Sequence, residues 1–161
     1  MNDKMTSNVH EVPTPALVID LPRVRRNIER MQAFCRGAKL NLRPHTKTHK
    51  SVMMARLQIE AGAGGLTVAK AGEAEVMSAA SDDLFVAYPA LDPARCERIA
   101  KLARERTVRC GVDSTLAIDR LAEAARRAGA TIGILIDLGV GFHRTGLSSS
   151  GRATALAQHA S

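Results

Sequence analysis

The chain has 161 residues, enough for one domain with its own core, and its 45% hydrophobic and 24% charged content excludes a disordered chain. The formal charge of +7 rests on dispersed basic positions, and three Phe, one Tyr and no Trp offer bases little to stack on, so no nucleic-acid partner is expected. No apolar run approaches the roughly 20 residues of a membrane span, so no membrane partner is expected either.

In chain order, Met1 to Val12 reads as a loose, flexible tail, polar and without the apolar stretch of a signal peptide. Thr14 to Asp20 reads as a short strand. Asp20 then caps a helix with Pro22 in its first turn, and Val24, Ile28, Met31 and Phe34 predict a buried face. Lys39 to Arg43 alternates as a strand. Ser51 to Ala61 is predicted helical and closed by Gly62. Strands follow at Gly65–Ala69, Leu84–Tyr88, Thr107–Val112 and Thr131–Leu138. Helices alternate with them at Ala71–Ala80, from Pro93 to about Arg106, from Ser114 to Gly129, and from Arg152 onward.

Strands alternating with helices and no hairpin signals predict an α/β protein with a parallel sheet. A doubly wound sheet could be complete at this length, whereas a (β/α)8 barrel needs about 250 residues. No repeat or linker divides residues 13–161.

The residues with most chemistry are Leu42-Arg43-Pro44-His45-Thr46-Lys47-Thr48-His49-Lys50, which follow a predicted strand. Strand ends are where α/β proteins place their reacting groups. A lysine there can form a Schiff base, provided burial or neighbouring cations favour its neutral form. Arg43, His45, His49 and Lys50 are the candidates for that cationic field; the plain alternative is a solvated basic loop. His45 and His49 are spaced for one helix face, but Pro44 argues against a helix and no acidic partner accompanies them, so no metal site is expected.

A second group, Asp137-Leu138-Gly139-Val140-Gly141-Phe142-His143-Arg144-Thr145-Gly146, also follows a strand. A third, Thr67 to Glu75, holds Lys70 as a rival amine and places Glu73 and Glu75 in a first helical turn, where the macrodipole favours acids. Tyr88 and Asp113 fall at strand ends. Tyr88 is placed in the mouth, and Asp113 with Ser114 reads as a helix cap. No dinucleotide fingerprint, Walker loop or nucleophile elbow occurs. The three cysteines, Cys35, Cys96 and Cys110, are widely spaced, odd in count and without a CxxC pair, which fits a cytoplasmic setting.

The first group resembles the R-P-H-x-K-T-H-K signature of fold-type III pyridoxal-phosphate enzymes. The resemblance is to the D-threonine aldolase and D-serine dehydratase group, within the alanine racemase N-terminal-domain superfamily. The second group is similar to the D-x-G-x-x-R-x-G segment of that group in its H-R-x-G form, and the third to its T-x-x-E-A-E segment. The resemblance implies a partial (β/α)8 barrel of about five strands, counted from Lys39, without the late strands or the C-terminal β-domain. In this family the Thr14–Asp20 strand pairs with that β-domain. The late strands usually supply the phosphate anchor.

The resemblance further implies that Lys47 carries pyridoxal 5'-phosphate. His45 would lie beside the ring or relay protons, and Arg144 would approach the ring. His143 and Thr67 would complete the cofactor wall. The implied reaction is retro-aldol cleavage of a D-3-hydroxy amino acid to glycine and an aldehyde. The alternatives are dehydration of D-serine or D-3-hydroxyaspartate to a 2-oxo acid and ammonia, a non-catalytic cofactor-binding protein, or an inactive fragment. A divalent metal is implied for the full-length protein, with no ligands in this chain, and so is a homodimer.

Overall fold

The computed structural model describes residues 8–142 and 144–160. Its elements are α1 (Leu21–Gly37), α2 (Val52–Glu60), β1 (Leu66–Val68), α3 (Ala71–Met77), β2 (Asp83–Val86), α4 (Pro93–Leu102), β3 (Thr107–Val112), α5 (Thr115–Ala128), β4 (Gly133–Ile136) and α6 (Ser150–His159). Side-chain caps start most of the helices. Asp20, Ser51, Asp92, Ser114 and Ser149 each accept the backbone N–H three residues on. Gly129 ends α5 in the left-handed conformation, φ 62°.

The four strands form one parallel sheet in the order β1-β2-β3-β4, so every connection is a crossover carrying a helix. Leu66 stands beside Leu84, Leu84 beside Val108, and Cys110 beside Ile134. Alternate strand residues (Leu66, Val68, Leu84, Val86, Val108, Cys110 and Val112) join Met77, Ile99, Leu121 and the buried alanines of α3, α4 and α5 in one core. Fully burying a Leu or Val of this set stabilises by about 1.5–3 kcal/mol. Asp83, Phe85, Arg109 and Leu135, of the opposite parity, face the other side and are half-buried or exposed. At the N-terminal end of that side Asp83 accepts Arg43 at 2.8 Å and Arg109 at 2.5 Å. Gly65 makes room for this pairing, since a Cβ there would lie 2.1 Å from the Arg43 guanidinium.

This is the partial barrel expected, with its first strands differing from expectation. Lys39–Arg43 forms no strand. Instead Leu42–His45 runs extended along β1, where Leu42 O accepts Gly64 N at 2.9 Å, Pro44 O accepts Thr67 N at 2.8 Å, and His45 makes one parallel bridge to Thr67. Pro44 has no N–H to extend that ladder. Thr14–Asp20 is likewise not a strand. It begins in a bend at Thr14 and Pro15 and has no partner strand among the described residues, leaving Leu17 92% exposed. The predicted tail contains a short 3-10 turn at Val9–Glu11, capped by Asn8; Met1–Ser7 lies outside the described residues.

The face assigned to α1 is rotated. Gln32 and Cys35 are its buried residues, Val24 and Ile28 are half-buried, and Met31 and Phe34 are exposed. Gln32 reaches the carbonyl of Gly62 at 2.8 Å, and that polar contact turns the helix toward the end of α2. No helix among the described residues is long and apolar enough to cross a membrane.

Candidate functional site

The Lys47 segment is a tight turn fastened to the C-terminal end of β1. His45 caps a 3-10 turn, Thr46–Thr48, by accepting the Lys47 amide on Nδ1 at 3.3 Å. That acceptor role leaves the proton of a neutral ring on Nε2. Thr46 is fully buried and its hydroxyl donates to Thr67 O at 3.3 Å. Lys50 closes the turn, donating its amide to Thr46 O at 2.8 Å with φ 48°. Lys47 is left exposed, lining a cavity of about 390 Å³.

That cavity opens where the strands end. His45, Lys47, Lys70, Tyr88, Arg95 and Arg144 contribute to its wall, together with Arg98. Arg144 and Ala87 also border a neighbouring cavity of about 560 Å³, on the side of Phe85 and Leu135. The first wall holds five cations and no carboxylate. Arg98 alone among them is ion-paired, by two hydrogen bonds to Glu75, which raises the Arg98 pKa and lowers that of Glu75. His45 is held below its ordinary value by burial first and Lys47 second, against the pull of Glu73 and of a backbone hydrogen bond at Thr67. An amine beside a neutral imidazole, in a cation-lined cavity within the usual ligand range of about 300–1,000 Å³, fits a phosphorylated aldehyde such as pyridoxal phosphate.

Arg144 is carried by a pinned loop. Asp137 accepts the Thr145 hydroxyl at 2.7 Å, and Asp113 accepts the Gly146 amide at 3.2 Å. Gly139 N and Leu147 N close the loop base at 2.8 and 2.9 Å. Asp113 is therefore a loop anchor, and the α5 cap belongs to Ser114. The Gly146 amide needs a side-chain acceptor at that point, a requirement no local spacing encodes.

The structure brings Lys47, His45 and Arg144 to one cavity, with Tyr88 at its mouth and Lys70 as a second amine. Thr67 is not in that wall: its hydroxyl donates to Arg43 O at 3.3 Å, fastening the segment that precedes the turn. His143 lies outside the described residues. The cationic field differs from expectation. Arg43 is drawn to Asp83 at the far end of the sheet, Lys50 pairs with Glu73, and His49 is turned to the Ser51 amide and kept neutral by burial. Lys70, Arg95 and Arg144 supply cations instead. Arg95 and Arg98, three apart on α4, went unread because one helical face serves both solvent and a cavity wall equally well. Among the described residues no group of three or more His, Cys, Asp or Glu is placed to hold a metal ion.

Comparison with known proteins matches residues 19–161 to the family described as alanine racemase, N-terminal domain. The chain is 34% identical over 150 residues to a D-threonine aldolase of Arthrobacter sp., covering 92% of this chain and 40% of that protein. It is 36% identical over 146 residues to the D-threo-3-hydroxyaspartate dehydratase of Delftia sp. (strain HT23), covering 90% and 38%. The crystal structure of D-threonine aldolase from Filomicrobium marinum superposes with a TM-score of 0.91 at 33% identity, over 94% of this chain and 41% of that one. The chain thus spans about 40% of the length of the relatives it matches.

Proposed function

This chain belongs to the alanine racemase N-terminal domain family, and from that membership we propose that it is the N-terminal part of a pyridoxal-phosphate lyase acting on D-3-hydroxy amino acids. Residues 13–161 are its barrel portion. The reaction proposed is cleavage of the Cα–Cβ bond, to glycine and an aldehyde. The observation that carries this reading is the convergence of Lys47, His45 and Arg144 on one cavity at the strand ends.

When bound, pyridoxal phosphate supplies an electron sink for the carbanion left by bond cleavage at Cα. Lys47 Nζ is the amine that attaches the cofactor. The turn Thr46–Thr48 carries Lys47 into the cavity wall, and the buried Thr46 fastens the turn to β1. His45, with Nδ1 committed to the Lys47 amide, carries its proton on Nε2 and donates or relays it from there. Arg144 supplies a guanidinium whose planar fork of donors orients an anionic or ring-nitrogen partner. The surrounding cations, Lys70 and Arg95 among them, attract the phosphate and carboxylate groups of cofactor and substrate.

The test is incubation with pyridoxal phosphate, borohydride reduction and peptide mapping. A single label on Lys47, lost in Lys47→Ala, is expected. A label confined to Lys70, labels spread over many lysines, or none at all would overturn the assignment.

A dehydratase is the second reading, favoured by a dehydratase relative at 36% identity beside an aldolase at 34%. In the complete protein, D-threonine is expected to give glycine and acetaldehyde; 2-oxobutyrate and ammonia would select the dehydratase.

A further inference from the structure

We propose that Glu73 is a positioning residue for Lys47: its carboxylate ties the end of β1 to Lys50 and so fixes the turn that presents the Lys47 amine to the cavity. The inference rests on the assignment of Lys47 as the attachment lysine.

Glu73 is the third residue of α3, and its side chain is only 10% exposed. A carboxylate so placed is costly unless both oxygens are satisfied. Here they are: Oε2 accepts the Ala69 amide at 2.8 Å, and Oε1 accepts Lys50 Nζ at 2.8 Å. Glu75, two residues on, follows the other course and faces Arg98. Burial pushes the Glu73 pKa up, but the Lys50 ammonium, the Ala69 amide and Lys70 outweigh it and hold the group ionised at neutral pH.

The geometry of Lys50 explains what the pair does. Lys50 adopts φ 48°, a conformation non-glycine residues avoid, and its amide closes the turn on Thr46. His45 and Thr46 fasten the near end of the turn. Glu73 fastens the far end, from a different element, and Lys47 sits between the two fastenings. Without the clamp Lys50 keeps its amide bond to Thr46 O but loses its side-chain anchor in a disfavoured conformation, and the turn carrying Lys47 loosens.

The test uses Glu73→Gln, Lys50→Met and the double variant, with two readouts. In the cofactor-free chain, exchange of the Lys47 and Lys50 amides is expected to accelerate about tenfold in either single variant, the scale of one lost charge-assisted hydrogen bond. The core amides of Val86 and Val108 are expected not to change. With pyridoxal phosphate and borohydride, Lys47 labelling is expected to slow by a similar factor while Lys101 labelling stays constant. The double variant is expected to be no worse than either single one, since the two residues act through one contact.

Unchanged exchange in the turn with unchanged Lys47 labelling would overturn the proposal. So would core amides accelerating in parallel with the turn, the signature of a purely structural role. If Glu73→Gln does not fold, Lys50→Met breaks the same contact from the exposed side. If the unsubstituted chain takes no Lys47 label, the cofactor assignment fails and amide exchange alone decides the clamp.

Discussion

Two histidines, four residues apart, stand on either side of the Lys47 turn, and burial lowers the pKa of both. A histidine whose folded pKa lies below its unfolded value of 6.5 resists protonation only in the native state. As pH falls through 6.5 the unfolded chain takes up protons first, so stability is full above that value and declines toward the lower folded pKa. Glu73 acts in a separate window. Its lowered pKa contributes stability above 4.5 that is lost as pH falls further. The expected result is a melting temperature that drops in two stages on acidification. His49→Gln should shrink the upper stage to the part contributed by His45 and leave the lower one. A melting temperature that is constant or rises between pH 7.5 and pH 5.5 would contradict the burial argument at both histidines.

The loop from β4 to α6 shows how much an element depends on positions that look incidental in sequence. Gly146 has φ 95°, and a Cβ there would lie 2.6 Å from Gly139 N. An alanine would meet a backbone penalty of about 1–2 kcal/mol, before any cost of displacing Gly139. Gly146→Ala is therefore expected to release the loop that carries Arg144, and trypsin should cut after Arg144 several-fold faster than in the unsubstituted chain. Asp113→Asn keeps an acceptor oxygen for the Gly146 amide and should have a smaller effect in the same direction. Equal cleavage in all three proteins would show that the loop is not held by these contacts.

This loop also marks what the sequence makes legible. Signals of cap and period are local, so α5 lies where expected between Ser114 and Gly129 and α4 starts where expected behind Asp92-Pro93, though it ends at Leu102, short of the expected Arg106. The Lys47 turn was legible as a motif after a strand. The strand expected before it does not form, because Pro44 limits the pairing to a single bridge, an effect decided by the neighbouring segment. Glu73 and Asp113 were read as helix-end residues, since a carboxylate near a helix start satisfies that pattern whether or not it also reaches another element. The rotated face of α1 has the same origin: Gln32 is buried by its contact with Gly62, thirty residues away.

At the scale of the molecule, the sheet is well covered on one face and open on the other. The helix-facing residues of β1, β2 and β3 are almost entirely buried, whereas Leu135 of β4 is 43% exposed. β4 pairs with β3 alone among the described strands, which leaves a row of backbone donors and acceptors on its other side. Next to that edge Leu138, Val140 and Phe142 are exposed, the last two at 91% and 90%. An apolar patch beside an unpaired strand edge is a template for association. A polypeptide of these 161 residues is therefore expected to self-associate as its concentration rises and to bind an apolar dye. Replacing Val140 and Phe142 with serine should weaken dye binding and association while leaving the helix-side core intact, because neither residue belongs to it. Association unaltered by those substitutions would move the sticky surface elsewhere, with Met31, Phe34 and Leu17 the next exposed apolar group. A chain that stays monomeric and dye-free would mean that the open side of the sheet is already covered in solution.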